Sequence, residues 1–228
     1  MAVPILVGTP AASKFTSASS YTLAYTNDGG TNSGVFVITE QLSNGTPDSI
    51  TYGGVTMTNI LNLTGAQRAR GYMSYLPAAV TGNQNVVVSW PGSQSGAVNA
   101  FTLTGVEQST AAVVDVMGQA DGGGGGTSLS KSVTTTVNDD LIVVWIINGP
   151  AGSAYSANSP QTVISTLDSP TGNPDDFNSS YQAKATAGAI TSGYTWTPAA
   201  DSDLYVVALK QSTAAPAAQP AIFMGCNF

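Results

Sequence analysis

Residues 141–147 read Leu-Ile-Val-Val-Trp-Ile-Ile, an uninterrupted apolar run in which six of the seven side chains are aliphatic and five are β-branched. Polar residues precede the run, and Asn148, Gly149 and Pro150 follow it. A helix of this length would be too short to be stable, and β-branched side chains lose rotamer freedom in helices. A short apolar run bounded by turn residues is typical of a strand covered on both faces. The run therefore predicts the central strand of a sheet.

Short β-branched and aromatic runs recur along the rest of the chain, separated by turns that contain glycine or proline. Helical periodicity is nearly absent. Besides the central run, the predicted strands cover residues 3–7, 21–26, 35–41, 50–52, 55–60, 70–76, 85–90, 97–104, 112–117, 128–137, 162–167, 179–185, 191–196 and 204–210. Gly53-Gly54 predicts a hairpin turn or bulge, and the five glycines 122–126 predict a flexible loop because they have no side chains to pack. The pattern indicates an all-β, antiparallel, jelly-roll-like β-sandwich.

The two halves of the chain can be aligned without a gap at a constant offset. Gly82 then falls on Gly188 and Trp90 on Trp196, which are turn and strand positions. Such matches indicate a weak internal two-fold repeat. Two arrangements would produce it, namely one sandwich built from two related halves or two tandem sandwiches.

We expect one sandwich over residues 1–211, with halves 1–108 and 109–211, because no Pro- or Ser-rich linker separates the halves. Residues 212–228 differ in composition. They form an Ala/Pro linker followed by an apolar C-terminal arm.

Charge is scarce and negative. Only 8% of residues are charged, and 6 basic residues against 13 acidic ones leave a net charge of −7. Lys and Arg contacts to phosphate provide most nucleic-acid affinity, so nucleic acid and anionic membranes are not expected as main partners. The single cysteine, Cys226, cannot form an internal disulfide, and the N-terminus lacks the pattern of a secretion signal. Both features favour a protein made in a reducing cytoplasm.

The residue types exclude several kinds of catalysis. The chain has no histidine, which removes Ser-His-Asp and Cys-His mechanisms and His-bound zinc. Two facing carboxylates could still hydrolyse glycosides, and Glu40 and Glu107 are the two glutamates. With no further support for that chemistry, we predict no enzymatic activity, no catalytic residues and no cofactor.

Residues 168–178 hold the densest group of acids, and their oxygen ligands could bind calcium. The alternative is a turn in which Asp and Asn bond their own backbone, and two prolines favour it. No metal ligands are therefore predicted. Trp90 and Trp196 could stack on sugar rings. However, both end a predicted strand and the internal repeat aligns one with the other, and these two features favour a role in the core.

Two sets of residues are predicted to dock onto a partner. Arg68 and Arg70 have the spacing of one strand face and could meet an acidic surface or keep an edge soluble. The C-terminal arm carries large apolar side chains. Leaving each of them in water instead of burying it would cost about 1.5–3 kcal/mol of free energy. They should therefore dock, either on the chain's own sandwich or on a neighbouring subunit. The arm residues are Ile222, Phe223, Met224 and Phe228.

Several segments together resemble a β-sandwich module that recurs in phage virion proteins and bacterial surface proteins. The segments are residues 51–58, 75–77, 86–90, 101–108, 140–144 and 208–210. The resemblance spans roughly residues 33–210 and implies a jelly-roll or lectin-like sandwich with a structural or adhesive role. It carries over no catalytic residues.

The missing secretion signal favours a virion protein over a bacterial surface protein. The expected function is a non-enzymatic capsid decoration or cement protein that contacts the major capsid protein or another virion protein, together with copies of itself. The alternative is a carbohydrate- or receptor-binding domain of a tail fibre or adhesin.

Overall fold

The computed structural model describes residues 2–41, 46–66, 69–149, 154–167 and 175–213, and these residues form strands and no helix. The strands are β1 (Ile5–Asn27), β2 (Gly34–Gln41), β3 (Ser49–Tyr52), β4 (Val55–Thr56), β5 (Thr58–Thr64), β6 (Arg70–Pro77), β7 (Gly82–Thr104), β8 (Val114–Thr135), β9 (Asp140–Gly149), β10 (Ala154–Ala157), β11 (Thr162–Leu167), β12 (Asp176–Lys184) and β13 (Gly188–Leu209). The all-β prediction is confirmed.

The strands form two antiparallel sheets, one from each half of the chain. The first has the order β4-β3-β7-β2-β6-β5, with β1 also paired to β7. The second has the order β10-β13-β9-β12-β11, with β8 also paired to β13. The two orders correspond strand by strand, apart from β4. The finer jelly-roll assignment stays a prediction.

The apolar run at residues 141–147 is the central strand of the second sheet, as predicted. Strand β9 lies between β13 and β12, and every one of its residues is buried. Its odd-numbered apolar side chains face the first sheet, whereas Ile142, Val144 and Ile146 belong to a separate core on the other face. Side chains alternate between the two faces of a strand, so only a run that is apolar at every position can supply both cores.

Eight of the predicted strands are merged into four long ones. Two apolar runs lie in each of the long strands β1, β7, β8 and β13. The small residues between the runs continue the backbone pairing, because a long partner strand lies beside them. The register of β1 against β7 shifts near Ala18, and that of β8 against β13 shifts near Ala200. Val88 and Val98, from the two ends of β7, share one core, so the strand folds back over the outer face of its own sheet.

The prediction of a flexible loop at residues 122–126 is wrong, because these glycines lie inside β8. Gly122 pairs with Ser202 and Gly126 with Ala200 on β13. A Cβ at Gly122 would lie 2.7 Å from Ser202 Oγ, and Gly125 has a φ of +77°. Glycine is therefore needed for the close approach and bend of the paired strands, and backbone hydrogen bonding to β13 holds the segment in place.

Two smaller elements show what local sequence can indicate. Gly53 and Gly54 form the predicted turn between β3 and β4, with φ values of +56° and +80°. Both positive values match the hairpin turn type that glycine favours. Strand β10 is absent from the predicted strands, because Ala154–Ala157 contains no β-branched residue. Its strand conformation comes from backbone pairing with β13, which is distant in the sequence.

The two sheets share one core and are cross-linked by hydrogen bonds. Tyr205 donates its hydroxyl to the carbonyl of Ala69 at 2.7 Å, and the Ala69 N–H donates to Asp203 Oδ2 at 3.0 Å. Ser179 Oγ donates to Asn99 Oδ1 at 2.9 Å. Trp90 and Trp196, which lie within β7 and β13 rather than at strand ends, are buried at 4% and 3% exposure in the two outer cores. The predicted core role of both tryptophans is confirmed.

Candidate functional site

The segment that leads into the C-terminal arm is fixed to the sandwich at its base. Ser212 N–H donates to the Gly105 carbonyl at 2.7 Å, and Gln211 forms a β-bridge with Val106. The Glu107 N–H donates to the Lys210 carbonyl at 3.0 Å. We call this region, where residues 105–113 connect β7 to β8, the linker end. The arm therefore starts from a defined point beside the junction of the two halves.

Apolar side chains are exposed around the linker end. Ile5 pairs with Thr104 at the start of β1 and is 60% exposed. Val80, on the turn between β6 and β7, is 51% exposed, and Val137, between β8 and β9, is 37% exposed. They give this end of the sandwich exposed apolar side chains.

Arg70 is the one predicted docking residue whose position is described, and it is engaged within its own chain. It begins β6, is half-buried, and its Nη1 donates to Thr46 Oγ1 at 3.2 Å and to the Tyr72 hydroxyl at 3.3 Å. Arg68 and the four apolar arm residues, Ile222, Phe223, Met224 and Phe228, lie outside the described residues. A docking role for all of them stays a prediction.

The opposite end of the sandwich carries a buried group of charged side chains, which we call the acidic end. Strands β2 and β9 end there, and β6 and β12 begin there. The Lys14 ammonium contacts Asp176 Oδ1 at 3.0 Å across the two halves, with Asp176 fully buried and Lys14 14% exposed. The group consists of Lys14, Glu40, Asp175, Asp176 and Asp203.

Glu40 is the least compensated member of the acidic end. It is 1% exposed, and no hydrogen-bond donor among the described residues reaches either carboxylate oxygen. Burial raises the pKa of Glu40 well above its usual range, and the Asp175 carboxylate raises it further, while Lys14 opposes the shift. Glu40 is therefore held in its neutral form, and its burial keeps it out of reach of a substrate in solvent.

Replacing Glu40 with glutamine should make the protein less sensitive to alkaline pH. A carboxyl whose pKa is raised on folding binds its proton more tightly in the folded chain, so stability falls as pH rises above the unfolded pKa of about 4.3. A glutamine side chain cannot ionise, so Glu40→Gln avoids this loss, and we expect it to be the more stable chain at pH 8. The difference should grow by about 1.4 kcal/mol for each pH unit above the unfolded pKa until the folded carboxyl ionises.

Urea unfolding between pH 4 and 9 tests this expectation. At pH 4 both chains carry an uncharged side chain at this position in the folded state and should unfold at similar urea concentrations, which provides the internal control. Parallel pH profiles for the two chains would contradict the raised pKa of Glu40.

The acids predicted as a calcium loop are only partly described. Residues 168–174 lie outside the described ranges, whereas Asp176 is engaged by Lys14 and Asp175 is buried. Within the described part of the chain, no three His, Cys, Asp or Glu side chains are placed to hold a metal ion. Calcium binding by this segment stays a hypothesis.

Sequence reasoning placed Glu40 near a strand end but missed its partners. Lys14 and Asp176 are 162 positions apart, and no local pattern connects them. One signal was available, because Glu40 shares strand parity with Phe36 and Ile38, so the alternation on β2 predicts that it points inward with them.

A shallow cleft of about 370 Å³ lies on the surface of the first half. Its lining combines small apolar side chains with hydroxyls and one carboxylate. The lining residues are Thr9, Pro10, Ala11, Ala24, Tyr25, Thr26 and Asp28. Tyr25 is 1% exposed and its hydroxyl is 2.7 Å from Thr102 Oγ1, so its ring has almost no exposed surface on which a sugar could stack.

Comparison with protein-family models, with curated proteins and with solved structures found no match to the chain. Among the described residues, none forms a helix long and apolar enough to span a bilayer.

Proposed function

We propose that the chain is a non-enzymatic structural protein of a phage virion, and specifically a decoration or cement protein on the outer shell of the capsid. Its partners are the major capsid protein or another virion protein, together with copies of itself. It reaches the virion by assembly in the host cytoplasm. The segmental resemblance to virion β-sandwich modules provides the starting point.

The observation that carries the proposal is the fixed base of the C-terminal arm. Backbone hydrogen bonds hold residues 210–212 against residues 105–107, and the Tyr75 hydroxyl donates to the Glu107 carbonyl at 2.8 Å from the core side. An arm that starts from a rigid base loses less conformational entropy on docking than one that starts from a mobile tail. Ile222, Phe223 and Met224 follow about ten residues later, which suits a segment that reaches beyond its own subunit.

The nature of the described surface also supports a scaffold role. The acids of the acidic end are buried, where Asp176 contacts Lys14 and Asp203 accepts a hydrogen bond from the Ala69 N–H. With 8% of residues charged, the exposed surface is made largely of small neutral side chains. Such a surface recognises partners by shape and backbone hydrogen bonding rather than by long-range charge attraction.

Replacing Ile222 and Phe223 with serine should abolish attachment to the capsid. Each buried side chain contributes about 1.5–3 kcal/mol, so losing both should weaken binding at least about 100-fold. The measurement is co-sedimentation of the purified protein with capsids of the encoding phage that lack it. The matched control is the Gln219→Ser, Asn227→Ser double variant, which changes two polar residues of the same arm and should bind normally. Equal attachment of both double variants would contradict the proposal.

The alternative, a glycan- or receptor-binding domain, is favoured by one observation, the cleft beside Asp28 with its threonine hydroxyls. Carboxylates and hydroxyls at a surface cleft can bond sugar hydroxyl groups. Under this alternative, Asp28→Asn weakens binding on a glycan array while the arm variants retain it. Under the decoration proposal, Asp28→Asn attaches to capsids normally.

A further inference from the structure

A lysine and a carboxyl group from the two halves of the chain lie together at the acidic end, largely out of solvent. The Lys14 ammonium on β1 lies 3.0 Å from Asp176 Oδ1 on β12, and the two residues are 162 positions apart. Asp176 is completely buried, and the Lys14 side chain is 14% exposed. The carboxyl carbon is one bond beyond Oδ1. An amine held this close to a carboxyl carbon, with water excluded, is placed to form an amide bond.

Strand register brings Glu40 to the same place. Lys14 on β1 and Glu40 on β2 are both paired with Ala97, the residue of β7 that lies between them. Directly paired residues point to the same face of a sheet, and Ala97 belongs to the core between the two sheets. Neighbouring strands lie about 4.8 Å apart, so the Cα atoms of Lys14 and Glu40 are about 10 Å apart, a gap that two long side chains can close over the methyl group of Ala97.

The surroundings of Glu40 favour this direction. On its other side Glu40 is paired with Gly71, where a Cβ would lie 3.0 Å from the ring of Tyr205, so that space is already filled. Glu40 is 1% exposed, and neither of its carboxyl oxygens has a hydrogen-bond partner among the described residues. Burial raises the pKa of Glu40 well above its usual range, so the carboxyl group keeps its proton. A neutral carboxyl group whose proton is not already donated is suited to proton transfer.

We propose that Lys14 and Asp176 join in an amide bond between Nζ and Cγ, which links the two halves of the chain covalently, and that Glu40 transfers the protons in this reaction. The reaction occurs once in each folded chain, so it involves no turnover of an external substrate. It does not depend on the decoration role, because it uses only residues of this fold.

The reaction balances without an added reagent. The ammonium first passes a proton to the Asp176 carboxylate, and burial favours the resulting uncharged amine and carboxyl group. The amine nitrogen then attacks Cγ while the Glu40 O–H donates its proton to the carbonyl oxygen of Asp176. Glu40, now a carboxylate, takes a proton from the attacking nitrogen.

The same group completes the reaction by releasing water. Glu40 protonates one hydroxyl of the tetrahedral intermediate, the bond from Cγ to that oxygen breaks, and water leaves. Glu40 then recovers a proton from the remaining hydroxyl, which becomes the amide carbonyl. One water molecule is lost for each bond formed, and Glu40 ends in the neutral form in which it began.

Mass spectrometry of the purified full chain under denaturing conditions tests the proposal. We expect a mass lower than that of the sequence by one water molecule, and tryptic digestion should leave residues 1–68 joined to residues 132–184. Lys14→Arg keeps the positive charge but has no amine that can attack, so it should have the full mass of its sequence. A wild-type chain of full mass, or a missing water elsewhere in the digest, would overturn the proposal and leave an ion pair only.

The rate of bond formation in chains made by cell-free synthesis tests the role of Glu40. Glu40→Gln should form the bond at least about 100-fold more slowly than the wild-type chain, since it cannot transfer protons. Glu107→Gln is the matched control. The Glu107 side chain accepts a hydrogen bond from the Ser109 N–H at the linker end, so this variant should react at the wild-type rate. Circular dichroism shows whether each variant is folded, and an equal rate in folded Glu40→Gln would overturn the role of Glu40.

The bond also determines how the pH dependence of Glu40→Gln is measured. Because Glu40→Gln would lack the bond, both chains in the urea comparison described above carry Lys14→Arg. This substitution keeps a cation beside Asp176 and removes the bond from both chains, so the comparison reports the ionisation of Glu40 alone.

Discussion

Replacing Trp145 with alanine should lower the free energy of unfolding by about 3–5 kcal/mol, the usual range for truncating a buried aromatic side chain. Trp145 is fully buried at the centre of β9, in the core that both sheets share. Its ring stacks on Tyr205, with centroids 5.3 Å apart and an interplanar angle of 23°. The substitution removes contacts to both halves at once, so the whole protein should lose stability rather than one half.

Denaturant unfolding followed by circular dichroism measures this loss. Trp145→Phe is the matched control, because it keeps an aromatic ring against Tyr205 and removes an indole N–H that has no partner among the described residues. It should lose clearly less stability than Trp145→Ala. If the alanine variant instead unfolds in two separate transitions, the shared core does not couple the halves as the structure indicates.

Replacing Gly96 with alanine should cost about 3 kcal/mol or more, at the upper end of overpacking substitutions. Gly96 lies in β7 at the acidic end, opposite Gln41 on one side and Phe15 on the other. A Cβ at this position would lie 2.0 Å from the carbonyl oxygen of Glu40. Because the obstructing atom belongs to the backbone of a paired strand, it cannot move aside as a flexible side chain would.

Gly92 provides the control for this substitution within the same strand. A Cβ at Gly92 would meet no atom within 4 Å, so Gly92→Ala should change stability by about 0.5 kcal/mol or less. For a chain of this size, the Gly96→Ala loss corresponds to a fall in melting temperature of at least about 6–12 °C, measurable by differential scanning calorimetry. Similar melting temperatures for the two variants would mean that β7 and β2 can separate at this point without loss of stability.

The strands that could be predicted from the sequence are those with a strong local pattern. The run 141–147 and the Gly53-Gly54 turn depend on residue type and neighbours alone, and both were located correctly. The 122–126 segment shows the limit of such reasoning. Glycine favours a loop when nothing pairs with it, but here β13 supplies a distant ladder partner, with Gly122 paired to Ser202. Propensity has no information about that partner.

For the candidate functional site, too, some features could be predicted from the sequence and others depend on the tertiary structure. The apolar arm residues and the scarcity of charge can be read directly from the sequence, but the fixed base of the arm depends on pairing between residues 105–107 and 210–212.

The sequence by itself determined that this chain forms an all-β structure, that β9 is buried on both faces, and that histidine-dependent chemistry is absent. These properties depend on side-chain type and on a period of two residues, which are local. Only the tertiary structure decided that the long strands fold back on their own sheets, that Lys14 meets Asp176, and that residues 210–212 pair with residues 105–107. Each of these contacts joins residues far apart in the chain, and strand register together with packing between the sheets brings them together.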